Sequence, residues 1–80
     1  MKHARPDYNR IQDPENKIPQ DEPVFLLRGQ DKTAPQILRL WAAAQRNNPK
    51  VDPKIIYITE QHAIAMENWQ KEHVEKWADL

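Results

Sequence analysis

All seven prolines of this 80-residue chain fall at or before position 53, and its one glycine is Gly29. A proline removes a backbone donor and clashes with the preceding helical turn, so helices avoid it beyond their first turn. The first two thirds of the chain are thereby confined to short pieces, while everything after Pro53 is free to form one long helix. Asp52-Pro53 is a natural opening for it, with Asp52 as the cap and Pro53 at the first helical position. The pattern predicts a helix from Pro53 to about Ala78, about 26 residues and about 39 Å long. Ile55, Ile58, His62, Met66, Trp69, His73 and Trp77 share one broad face, widened by Ile56, Ala63 and Val74, with Glu60, Glu67, Lys71 and Glu75 on the other. Ile55 to Thr59 is rich in β-branched residues and also suits a strand; the register of Ile55 and Ile58 with the later apolar face favours the helix.

The stretch Asp21 to Ala44, DEPVFLLRGQDKTAPQILRLWAAA, is where the other elements meet. Val24 to Leu27 is a four-residue apolar run between Pro23 and Arg28-Gly29, which reads as a short buried strand. Gly29 frees the backbone to turn, and Asp31 is a turn residue. Thr33 with Gln36 three positions on matches a capping box, and Pro35 is tolerated in a first helical turn. A helix is expected from about Ala34 to Asn47, with Ile37, Leu38, Leu40, Trp41 and Ala44 on one side and Arg39 and Arg46 roughly opposite. Asn47-Asn48-Pro49 ends it, and the short connector implies an antiparallel hairpin.

Residues 1–23 hold four prolines and read as an arm ordered by packing, with Tyr8, Ile11 and Ile18 as anchors and a turn at Asp13-Pro14-Glu15-Asn16. The expected fold is thus mainly α. It consists of a Pro-rich arm (1–23), then a strand plus an antiparallel helical hairpin with a short first and long second helix (24–80), all in one domain. A chain this small rarely builds a sufficient core without a staple. Cysteine is absent, and no cluster of metal ligands offers a substitute. Self-association is the remaining common remedy, so a homo-oligomer is expected. Met66, Trp69, Val74 and Trp77, beyond the reach of the shorter first helix, are its expected interface.

Composition narrows the chemistry. With neither serine nor cysteine, nucleophilic catalysis of those kinds is excluded, and one glycine makes no phosphate-cradling loop. His62 and His73 stand about three turns apart on one helix and cannot reach one metal ion within a chain. No cofactor is expected, and the protein is read as a non-enzyme. No apolar stretch approaches the roughly 20 residues that span a bilayer, and the N-terminus lacks a secretory signal's apolar segment. A cytoplasmic protein is expected. Residues 1–54 carry ten Lys/Arg against seven Asp/Glu, and residues 55–80 two against five. A helix-turn-helix reader built on the second, acidic helix would be repelled by phosphate, so DNA is disfavoured as a partner.

Tyr8, Arg10, Arg28, Gln30, Asp31 and Lys32 form the candidate ligand site. If the arm pairs beside the strand, an aromatic ring, cations for phosphate, and amide and carboxylate groups for polar edges converge in a way that suits a nucleotide. The same residues also suit a solvated surface in which Arg10 and Arg28 pair with Asp13 and Asp31.

RPDYNRIQDP at 5–14 and DEPVFLLRGQDKTAP at 21–35, with the tryptophan-bearing helix at 36–44, resemble small proteins of tailed phages and prophages. The likeness covers the first half of the chain well and the C-terminal helix loosely, and it carries over no functional residue. It implies a phage accessory protein acting in the cytoplasm of a bacterial host. Counter-defence proteins of that size and setting include oligomeric sponges for immune signalling nucleotides. The resulting expectation is sequestration, without cleavage, of a small phosphorylated signal such as a cyclic nucleotide or an ADP-ribose derivative. The alternative is a protein-binding module that inhibits or redirects a host protein through the apolar face of the second helix.

Overall fold

The computed structural model describes the backbone of residues 2–3 and the whole of residues 13–73. Its elements are β1 (Lys2–His3), β2 (Pro23–Val24), α1 (Ala34–Gln45) and α2 (Pro53–Glu72). β1 and β2 run parallel, with Lys2 opposite Pro23 and His3 opposite Val24.

The buried strand expected over Val24 to Leu27 reaches only Val24. Leu26 and Leu27 are half-buried, but Phe25 is 57% exposed. Successive side chains of an extended segment point to opposite sides, so Phe25 points away from Leu26 and stays largely exposed. The turn at Asp13 is present. Asn16 donates its N–H to the Asp13 carbonyl at 2.9 Å, and the Asp13 carboxylate accepts the N–H groups of Lys17 and Ile18 at 3.1 and 3.0 Å. Asn16 has φ 53°, a left-handed conformation that asparagine tolerates better than most residues.

α1 begins where the proline and threonine pattern places it, without the expected capping box. Thr33 is the cap residue, yet its side chain makes no capping bond to the helix. Its hydroxyl and its N–H both donate to Oδ1 of Asp31, each at 2.9 Å. Donation to a carboxylate is a charge-assisted bond, and the rotamer that makes it turns the hydroxyl oxygen away from the helix N–H groups it would accept as a cap. α2 opens as expected: Asp52 accepts the N–H of Lys54 at 2.9 Å, with Pro53 in the first turn. Between the helices, Asn48 Oδ1 accepts from Lys50 N–H at 3.0 Å and the Asn48 carbonyl from Val51 N–H at 3.1 Å. Residues 55–59 are helical.

α2 does not run unbroken to Ala78. His73 is extended, with φ −133° and ψ 164°. Its ring supplies the reason. Nδ1 bonds the Trp69 carbonyl at 2.8 Å, the acceptor that the His73 N–H would take in a continuing helix, and the ring stacks on Trp69 at 3.9 Å and 6°. The side chain has replaced the backbone donor at the last turn. Twenty helical residues span about 30 Å.

The larger correction concerns helix rotation. Arg39 forks onto Glu67 through two bonds of 2.8 and 2.6 Å, and Arg46 pairs with Glu60. As position rises in α1 its partner falls in α2, so the helices are antiparallel, as expected. The charges, however, face each other and do not point away. Ala42 and Ala63, both fully buried, sit between the two ion pairs, and with Ala34, Pro35 and Met66 they make up the buried apolar core among the described residues. Alanine at the contact lets helix axes approach closely. Of the expected apolar stripes, Ala63 and Met66 are buried and Leu38 and Ile56 half-buried, while the rest is turned outward: Ile37 is 41% exposed, Trp41 46%, Ile58 57% and Leu40 63%. No large side chain among the described residues is fully buried.

Candidate functional site

The segment Arg28 to Asp31 crosses from the start of α1 to the last two turns of α2. The Asp31 N–H bonds the Arg28 carbonyl at 3.0 Å and closes a turn around Gly29 and Gln30. Gln70 then pins this turn to α2, its Nε2 donating to the Gly29 carbonyl at 2.9 Å and the Asp31 carbonyl at 2.8 Å. Gly29 is not in a left-handed conformation. A Cβ there would lie 3.7 Å from Met66 Cγ, an ordinary contact, so backbone freedom is not what this turn requires of it.

Between the turn and α2 lies an open groove of about 350 Å³. The chain at Leu27 to Gln30 forms one wall; His62, Ala65, Met66 and Trp69 form the other. The groove thus combines a guanidinium, a carboxamide, an imidazole and an indole on an otherwise apolar floor. Trp69 is 42% exposed, and the stacked His73 ring constrains it from one side. The volume falls within the range of small-ligand pockets, about 300–1,000 Å³.

Of the six expected ligand residues, Arg28 and Gln30 line this groove. Asp31 sits next to it, buried, with one carboxylate oxygen taken up by Thr33. Lys32 is exposed and lies outside the lining. Tyr8 and Arg10 lie outside the described residues. Of the four expected interface residues, Met66 is buried against the turn and Trp69 borders the groove. Val74 and Trp77 lie outside the described residues.

Family models, curated proteins and solved structures offer no significant match to this chain. What the groove can do therefore rests on its own geometry.

Gln70 and His62 are the contributors that sequence reasoning passed over. A glutamine in a long helix reads as solvated surface. The available signal was its position at i+7 from Ala63 and i+4 from Met66, on the stripe that faces inward. The ion pairs left a signal too: the seven-residue spacing of Arg39 and Arg46 matches that of Glu60 and Glu67. The Arg39 guanidinium, bonded to Glu67, holds that carboxyl below its ordinary range, and Glu67 raises Arg39 in return. Among the described residues no group of three or more potential ligands could hold a metal ion, and no helix is long and apolar enough to cross a membrane.

Proposed function

We propose that this is a non-catalytic binding protein that retains a small phosphorylated ligand bearing a planar base, such as a cyclic oligonucleotide or an ADP-ribose derivative. The single observation that supports this is the meeting of Arg28 and Gln30, 41 and 39 residues before Trp69 in the chain, with Trp69 and His62 around one groove. Arg28 would take phosphate oxygens through its planar fork. Trp69, steadied by His73, would stack on the base, and Gln30 would read a polar edge. Asp31 serves the site indirectly, by holding the turn that carries Arg28 and Gln30. Tyr8 and Arg10 join the reading as further aromatic and cationic groups.

Retention without turnover is part of this proposal, and the described lining supports it. Its lining has no carboxylate and no hydroxyl, and a single imidazole is its one acid–base group. In the setting that the phage resemblance implies, such a protein would lower the free concentration of a host immune nucleotide.

The test is calorimetric titration with a cyclic dinucleotide and with ADP-ribose, alongside mass spectrometry of small molecules released when the purified protein is heat-denatured. Binding that Arg28→Ala abolishes, with the nucleotide recovered unchanged, is the expected result. Absence of binding to either probe together with an empty release spectrum would refute the reading, and so would cleavage of a bound nucleotide.

A further inference from the structure

We infer that the base of the guest lies over Ala65, against the face of Trp69 that His73 leaves free, and that the small side chain of Ala65 lets the groove take one base per chain. The inference rests on the nucleotide reading of the groove and adds the seat of the base. It starts from helix spacing. Residues four apart on a helix lie one above the other, so Ala65, Trp69 and His73 form a row along the last turns of α2. Long helical side chains lean toward the helix N-terminus and cover the turn before their own Cα. His73, just past the helix end, leans the same way and stacks on Trp69, with ring centroids 3.9 Å apart and an interplanar angle of 6°. Its Nδ1 bond to the Trp69 carbonyl, at 2.8 Å, holds the ring there.

One indole face is taken in this way. On its other side the row continues with Ala65, which is exposed and bears only a methyl group. Two turns before Trp69, the same groove wall carries His62. A flat group set against the free indole face therefore takes the place that a larger side chain at Ala65 would fill. The opposite wall suits such a group as well. Gln70, next to Trp69 in the chain, holds the Gly29 carbonyl at 2.9 Å, and Gly29 adds no side chain to the space between the walls. Stacking on an aromatic side chain depends little on which base is stacked, so the slot selects for an aromatic ring and tolerates different bases. One free face accepts one base, and a cyclic dinucleotide leaves its second base outside the stack.

The test compares the wild-type chain with Ala65→Phe by calorimetric titration with ADP-ribose, with cyclic di-AMP and with ribose 5-phosphate, which lacks a base, alongside a melting curve of each protein. The wild type should bind one or both nucleotides, with no more than one molecule per chain, at least about tenfold more tightly than ribose 5-phosphate. In Ala65→Phe the new ring pairs with Trp69, as side chains four apart on a helix do. Its Tm should be kept while nucleotide affinity falls at least about tenfold, to the level of ribose 5-phosphate. A nuclear Overhauser measurement on the wild type needs no variant: the adenine ring protons should contact the Ala65 methyl and the Trp69 indole. Nucleotide binding as tight in Ala65→Phe as in the wild type would overturn the seat and leave the nucleotide reading intact. So would adenine contacts confined to other residues, or two nucleotides bound per chain. A wild type that binds neither nucleotide would overturn both.

Discussion

On one side of the hairpin, Arg39 and Arg46 close onto Glu67 and Glu60; on the other, Ile37, Trp41, Ile55 and Ile58 face outward. Part of the face that a hydrophobicity pattern would bury, Ala63 and Met66, is buried, but its outer part is open, and the charges expected to point away pair across the helices at a partly exposed edge. The physical reason lies in the contact between the helices. Ala42 and Ala63 place small side chains at the contact, which favours a close approach of the helices, and the paired arginines and glutamates lie along its edge. Exposed ion pairs contribute modestly to stability, so their role here is chiefly to fix rotation. The large apolar groups Trp41 and Ile58 stay about half exposed on the outer side.

The largest effect should come from widening the narrow contact. Ala63→Leu would force bulk between α1 and α2 at a fully buried position and should cost about 1–3 kcal/mol, as overpacking does. Urea unfolding would measure it; a neutral result would mean that the helices are not held close at Ala63.

Next comes the link between the hairpin and the groove. Gln70→Ala leaves two part-buried carbonyls, those of Gly29 and Asp31, without their side-chain donor. It should cost about 1–2 kcal/mol and weaken ligand binding further than the stability loss explains, because the wall bearing Arg28 and Gln30 is released. Calorimetry alongside denaturation would separate the two effects. Unchanged affinity would show that the turn holds its place without α2.

A smaller effect belongs to Glu67. Its carboxyl is held below the ordinary 4.5, so its stabilising contribution is fully present above that value and disappears as pH falls through the lowered one. Glu67→Gln should therefore lose Tm near neutrality and converge with the wild type in acid. Melting curves from roughly pH 7 to roughly pH 2 would reveal this; parallel curves would deny the pairing.

The smallest change is expected at Gly29, and with the opposite sign. Its backbone is not left-handed and a Cβ would make only an ordinary contact. Gly29→Ala should be neutral or stabilise by about 0.4–1 kcal/mol through the unfolded chain. A marked loss of Tm would show that the turn depends on glycine after all.

What could be read from the sequence was local. The Asp52 cap, the Asp13 to Asn16 turn, the Asn48 break and the start of α1 each depend on residues within a few positions of one another, and each is present. The misread features depend either on competition between local partners, two and four residues apart at Thr33 and His73, or on contacts distant in sequence. The Thr33 capping box lost its hydroxyl to Asp31. The strand at Val24 ended where its short partner did. The end of α2 was set by a histidine ring folding onto its own last turn. Helix rotation was decided by pairs such as Arg39 and Glu67, 28 residues apart, which no apolar periodicity reveals. Half of the candidate site was legible in the same sense: Arg28 and Gln30 were chosen for their chemistry, but that Trp69 and His62 would face them required the fold.

The rotation of the hairpin can be tested most directly by exchanging one ion pair. Arg39→Glu alone and Glu67→Arg alone should each lower Tm, since each sets like charges against each other across the helices. The double variant should recover most of that loss, a non-additivity that only groups in contact display. If the two losses simply add, Arg39 and Glu67 do not meet, the helices are turned differently, and Trp41 and Ile58 do not share one outward side.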